Sequence, residues 1–226
     1  MSLPVNLKIK GVFFDLDGTL ADTAPDLAYA LNTLRKEQQL PPLPYAAIRP
    51  VVSHGATALL RLGFDIGPGH ISYDFLRQRL LEIYSAHLTY KTRLFPGMAA
   101  VLQVLEERSI KWGVVTNKPA WLTEPLMQGL GLAGRAAAIV SGDSTANTKP
   151  HPAPMLHACD LAGVDGAACL YVGDARRDIE AGNNAGMKTL VALFGYLDEK
   201  DDPASWRADG MIEKPLDILH WLGERT

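Results

Sequence analysis

The sequence predicts an α/β fold, a parallel sheet with helices on both faces and a small helical subdomain inserted early in the chain. Three observations predict it. Short apolar runs of bulky residues recur along the chain, and helical patterns separate the later ones. The first run is separated from the second by roughly 95 residues, where a crossover between parallel strands needs only about a dozen.

The elements follow in order. Residues 9–14 are apolar and bulky and read as a buried strand. Leu27, Leu31 and Leu34 then share a helical face, with Pro25 well placed in a first turn. The proline-rich stretch 41–44 breaks the segment. A second helix is expected over 71–88, with Leu76, Leu80, Ile83, Tyr84 and His87 on one stripe. Strand-like runs return at 112–116, 137–140, 169–172 and 189–193, and Val101, Leu102 and Leu105, then 152–162 and 175–185, read as helices. The expected division is a core of residues 1–21 and 93–226, with a helical cap subdomain over 22–92 entered and left through 21–24 and 91–97.

Composition excludes several classes. With 47% hydrophobic and 21% charged residues, the 226-residue chain has the makeup of a globular protein rather than a disordered one. A net charge of −3 leaves no basic footprint for nucleic acid or an anionic membrane. No run reaches the ~20 apolar residues of a membrane span, and the apolar stretch before Asp15 is too short for the core of a signal peptide. The two cysteines, Cys159 and Cys169, are too few for a disulfide scaffold and read as reduced thiols. A cytoplasmic protein with no obligate protein partner is expected.

The chemistry sits where strands end. The first strand runs into Asp15-Leu16-Asp17-Gly18-Thr19-Leu20. Residues two apart on an extended strand point the same way, so Asp15 and Asp17 start on one face and Gly18 turns the chain beside them. Two carboxylates are costly to bury unless a positive group lies between them. The alternative, a turn or helix-capping role, is open to either residue alone. A calcium loop fits poorly, because its glycine belongs at the position of Leu20. Later strands lead into Thr116-Asn117-Lys118-Pro119 and into Gly173-Asp174, with Asp178 four residues on, and Lys149-Pro150 lies between them. In open α/β sheets the ligand crevice lies beyond the carboxyl ends of the strands, so these segments converge there. Four carboxylates, one amine, a hydroxyl and an amide suit a phosphate with a hard dication, for which oxygen ligands select Mg²⁺. Asp15 is then placed to attack phosphorus, Asp17 to move protons, and Thr116, Asn117 and Gly18 to line the phosphoryl oxygens.

Other motifs are absent or misplaced. Residues 129–134 match a dinucleotide glycine pattern but follow a helical stretch, which makes them a helix end and loop. No phosphate-binding P-loop, CxxC pair or HExxH signature occurs, and Ser53-His54-Gly55 lacks the preceding glycine of a nucleophile elbow.

In combination, Asp-x-Asp-Gly-Thr, Thr-Asn, Lys-Pro and Gly-Asp-x₃-Asp resemble the haloacid dehalogenase superfamily, specifically its phosphatases with a helical cap inserted after the first strand, and the likeness spans essentially the whole chain. The resemblance implies a Rossmann-like core. It implies that Asp15 is the nucleophile, Asp17 the general acid and base, Thr116 a phosphate-binding hydroxyl and Lys149 the neutralising amine. It further implies that Asp15, the backbone carbonyl of Asp17, and Asp174 hold Mg²⁺, with Asp178 acting behind them. The presence of Asp17 argues against a dehalogenase. Thr116-Asn117-Lys118-Pro119 and Phe95-Pro96-Gly97 make the branch resemble phosphoglycolate phosphatases, so 2-phosphoglycolate is the expected substrate. Residues 112–119, Glu124-Pro125, Met127-Gln128, Gly195-Tyr196, Trp206 and Asp209 also resemble N-acetylmuramic acid 6-phosphate phosphatases. His151 departs from both branches, which more often carry an acid or amide there. The cap is expected to set the substrate through Ser53, His54 and Arg61, and Tyr196 and Trp206 to pack. A phosphosugar mutase and a phospho-acceptor signalling module are the remaining alternatives; the cap insert and the Asp15/Asp17 spacing speak against the latter.

Overall fold

A six-stranded sheet organises the chain, its strands lying in the order Ala138–Val140, Lys111–Val115, Gly11–Phe14, Cys169–Gly173, Lys188–Ala192 and Gly210–Ile212, and every pairing in it is parallel. The computed structural model describes residues 8–223; residues 1–7 and 224–226 of the expected core lie outside the described residues. The strands are β1 (Gly11–Phe14), β4 (Lys111–Val115), β5 (Ala138–Val140), β6 (Cys169–Gly173), β7 (Lys188–Ala192) and β8 (Gly210–Ile212). The helices between them are α5 (Met98–Glu107), α6 (Ala120–Gly129), α7 (Ala153–Ala162) and α8 (Arg176–Asn184). β1 and β6 are buried along their whole length, as strands covered on both faces must be. The expected strand at 189–193 runs one residue earlier. β8 was not anticipated, because three residues beginning with glycine give no period to read.

The insert holds α1 (Ala24–Glu37), α2 (Tyr45–Ile48), a 3₁₀ turn over Arg49–His54, α3 (Gly55–Phe64) and α4 (Tyr73–Ser85). Pro25 opens α1 as expected. α4 buries Leu76, Leu80, Ile83 and Tyr84 against α1, while His87 lies past its end and stacks on Tyr29 with ring centroids 4.8 Å apart. The two connectors pair with each other. β2 (Ala21–Asp22) and β3 (Arg93–Leu94) form an antiparallel ribbon in which Ala21 faces Leu94. Asp26, fully buried, accepts hydrogen bonds from the backbone of Lys91 and Thr92 and from the Thr92 hydroxyl, at 2.8–2.9 Å. One hydrophobic cluster runs without a break from Leu31, Leu80 and Tyr84 in the insert to Val12, Trp112 and Leu170 in the sheet. Trp206 is buried beside Ile179 and Val191, a packing residue as expected.

Register alone assembles the crevice. Phe14 pairs with both Val114 and Val172. One residue beyond Phe14 is Asp15, and two residues beyond the paired positions are Thr116 and Asp174. Three distant segments are thereby delivered to one edge of the sheet.

Candidate active site

Asp15 is buried at the end of β1, and its Oδ1 accepts from the Leu16 backbone N–H at 2.8 Å. Lys149 is buried too, with Nζ 2.9 Å from Asp15 Oδ1 and 2.7 Å from Asp178 Oδ1. It also donates to the Val115 carbonyl and the Tyr171 hydroxyl, both at 3.0 Å. Asn117 places this lysine: its carboxamide accepts from the Lys149 N–H and donates to the Lys149 carbonyl, each at 3.0 Å. The side chain expected on the phosphate is thus engaged in holding the lysine loop. Thr116 is buried, and its hydroxyl accepts from the Lys118 N–H.

Asp174 accepts from the Tyr196 N–H at 2.8 Å and the Ser53 hydroxyl at 2.6 Å on one oxygen, and from Thr19 on the other. Asp178 Oδ2 accepts from the Ala175 N–H and so caps α8. Gly18 sits at φ +87°, and a Cβ there would lie 2.2 Å from Asp174 Oδ2, so only glycine lets the loop pass this carboxylate. Asp15, Asp174 and Asp178 bring ligand atoms within 4.8 Å of one another, all buried. Asp178 stands in this group with Lys149 on one oxygen and the Ala175 N–H on the other. Burial, with the charges of Asp15 and Asp178 beside it, pushes Asp174 up to about 7, and burial likewise raises Asp178 against the pull of Lys149. Three carboxylates so crowded fit a hard, oxygen-seeking dication.

The side chain of Asp17 turns away from this cluster. Thr23 donates to its Oδ1 at 2.6 Å, and Lys118 Nζ lies 2.8 and 3.1 Å from its two oxygens. Lys118 also reaches the Tyr84 hydroxyl on α4, at 3.0 Å. Burial pulls the Lys118 ammonium down, but Asp17 and Tyr84 outweigh it and hold it above its ordinary value; burial pushes Tyr84 up to about 12. In the sequence, Lys118 reads only as part of a motif and Tyr84 only as core. Their pairing across two elements left no signal in spacing.

A cavity of about 330 Å³ opens above Asp15 and Asp17. Thr116, Asn117 and Lys118 line it from the sheet, and Ser53, His54, Arg77, Leu81 and Tyr84 from the insert. Arg61 does not line the cavity, contrary to expectation: it is exposed on α3 beside Gly67. α3 begins at Gly55 by the cavity and carries Arg61 six residues along its axis, about 9 Å at 1.5 Å per residue. Arg77 on α4 stands in its place. Tyr196 packs as expected, with its hydroxyl donating to Asp22 at 2.7 Å and accepting from the Ala24 N–H.

The comparisons agree with this geometry. The family model described as haloacid dehalogenase-like hydrolase matches residues 12–192. The chain is 40% identical to an N-acetylmuramic acid 6-phosphate phosphatase of Pseudomonas putida, over 94% of this chain and 95% of that one. It is 43% identical to a phosphoglycolate phosphatase of Xanthomonas campestris, over 91% of this chain and 93% of that one. A crystal structure from Haemophilus somnus, described as a predicted phosphoglycolate phosphatase, superposes with TM-score 0.84 at 27% identity, covering 97% of this chain and 100% of that one. A family match over most of the chain thus meets a site of strand-end carboxylates around a buried lysine, and the chain belongs to the haloacid dehalogenase-like hydrolases as a phosphatase, a phosphoric monoester hydrolase.

Proposed function

We propose that the chain hydrolyses a small phosphomonoester in two steps through an aspartyl-phosphate on Asp15. The observation that carries this is the buried Asp15–Lys149 pair beneath the cavity, 2.9 Å apart, with Asp17 on the same floor. An Asp15 oxygen attacks phosphorus, the ester P–O bond breaks, and a proton from Asp17 goes to the leaving oxygen. Water then attacks the acyl phosphate, Asp17 takes its proton, and the Asp15 carboxylate is regenerated with release of inorganic phosphate. The bonds Asp17 accepts from Lys118 and Thr23 suit the carboxylate form that the second step needs. Thr116 and Lys149 hold the phosphoryl oxygens, and Asn117 orients Lys149. Asp15, Asp174 and the Asp17 carbonyl would hold Mg²⁺, with Asp178 behind them, and the ion when bound offsets the crowded negative charge. The insert, residues 22–92, acts as a cap that excludes water from the cavity. Two buried, free cysteines suit a reducing cytoplasm, and among the described residues no helix is long and apolar enough to cross a membrane.

The motif favours 2-phosphoglycolate. The cavity favours a second substrate, N-acetylmuramic acid 6-phosphate, since about 330 Å³ with Leu27, Val52, Leu81 and Leu122 on its wall accommodates a ring-sized leaving group. Phosphate release from both esters and from hexose phosphates, with Mg²⁺ and with chelator, tests the proposal. Metal-dependent release with one ester far ahead is expected. Isomerised sugar phosphate without free phosphate would make the chain a mutase, and a stable phosphoprotein without turnover a phospho-acceptor.

A further inference from the structure

The two lysines at the floor of the cavity are ion-paired. Lys149 is held by Asp15 and Asp178, and Lys118 by Asp17 and Tyr84. Arg177, which also lines the cavity without an ion pair among the described residues, is tied to the Ser53 carbonyl, to which it donates. Arg77 differs. It lines the cavity from the insert side and, among the described residues, makes no ion pair and no side-chain hydrogen bond. Its helix neighbour Arg79, by contrast, is tied to Glu37 and Glu82 at 2.7 and 3.2 Å. One and two turns further along α4, Leu81 and Tyr84 line the same wall. A substrate lying with its phosphoryl group on Asp15 can run along this apolar wall toward the exposed Arg77 guanidinium, which has no hydrogen-bond partner among the described residues.

We propose that Arg77 binds a carboxylate carried by the substrate at the end remote from its phosphate, so that the enzyme's substrates are phosphorylated carboxylic acids rather than neutral sugar phosphates. The inference rests on the phosphatase function proposed above and deepens it. The planar fork of a guanidinium matches a carboxylate with two parallel hydrogen bonds. A remote anion also supplies binding that orients the reacting end, which a two-point attachment fixes better than the phosphate alone.

The test is calorimetric binding to the Asp15→Asn protein with Mg²⁺, where no turnover blurs the reading. N-acetylmuramic acid 6-phosphate is compared with N-acetylglucosamine 6-phosphate, which lacks only the carboxylate-bearing lactyl ether, and 2-phosphoglycolate with 2-hydroxyethyl phosphate. In at least one pair the acid is expected to bind at least 10-fold tighter than its neutral counterpart. Adding Arg77→Met should weaken that acid about 10- to 100-fold and its counterpart far less, with Arg77→Lys recovering part of the difference. Acid and neutral ligands that bind alike, acids that do not bind, or an Arg77→Met change that weakens both members of a pair equally would each overturn the assignment. Phosphate release by the unmodified chain is measured alongside. An acid that binds through Arg77 but is never hydrolysed counts against the phosphatase mechanism alone.

Discussion

Two carboxylates two residues apart each face a lysine ammonium of their own. Asp15 is buried against an ammonium, and Asp17 is reached by Thr23 and Lys118 at the cavity floor. Asp15→Asn removes the attacking oxygen while keeping the shape, so turnover should be lost with the melting temperature nearly unchanged; substantial residual turnover would exclude Asp15 as nucleophile. Asp17→Asn should slow hydrolysis of an alkyl phosphate about 10²- to 10⁴-fold. With p-nitrophenyl phosphate, whose leaving oxygen needs little proton assistance, the same variant should release one equivalent of nitrophenol per chain rapidly and then stall, because the water attack still lacks its base. A normal steady state that only demands more metal would make Asp17 a metal-binding residue instead. The residues legible in the sequence are those whose strand-end position is itself the signal, Asp15, Thr116, Asp174. Lys118, Tyr84 and Arg77 belong to the same cavity but were not, since their roles arise from the docking of α4 over the sheet and not from any local spacing.

At the scale of elements, the insert is joined to the core by a ribbon of two residue pairs, too short to hold itself together. Asp26 compensates, tying the first turn of α1 to the returning chain at Lys91 and Thr92. Asp26→Ala would strand the buried N–H and hydroxyl of Thr92, each costing about 1–3 kcal/mol, while the N–H of exposed Lys91 can turn to water. A total loss of about 3 kcal/mol corresponds to a fall of roughly 6–12 °C in melting temperature for a chain of this size. Thermal unfolding measures it, and a change under ~2 °C would mean that packing of α1 on α4 alone seats the insert. The long helices and fully buried strands were legible from their periods. The ribbon and β8 were not, because two or three residues carry no period, and Asp26 reads locally as an ordinary first-turn acid.

At the scale of the whole molecule, a parallel sheet puts the carboxyl ends of its central strands on one edge, and this chain places Asp15, Asp174 and Asp178 there with one buried lysine among them. Each like-charged pair at ~4 Å opposes folding by roughly 4 kcal/mol at an effective dielectric of 20, and Lys149 offsets only part of that. Residues from across the chain meet at this spot, so a cation bound there stabilises β1, β6 and α8 together. Mg²⁺ at about 100 times its dissociation constant should add about 2.7 kcal/mol, a rise of roughly 5–11 °C in melting temperature, reversed by chelator. Asp174→Asn should behave differently in both arms. Without metal it relieves the crowding and melts at or above the unmodified chain; with Mg²⁺ it gains little, because a ligand is missing. Scanning calorimetry of both proteins, with and without Mg²⁺, separates this account from a general salt effect, which would raise the two melting temperatures equally and would remove the metal from the proposed site.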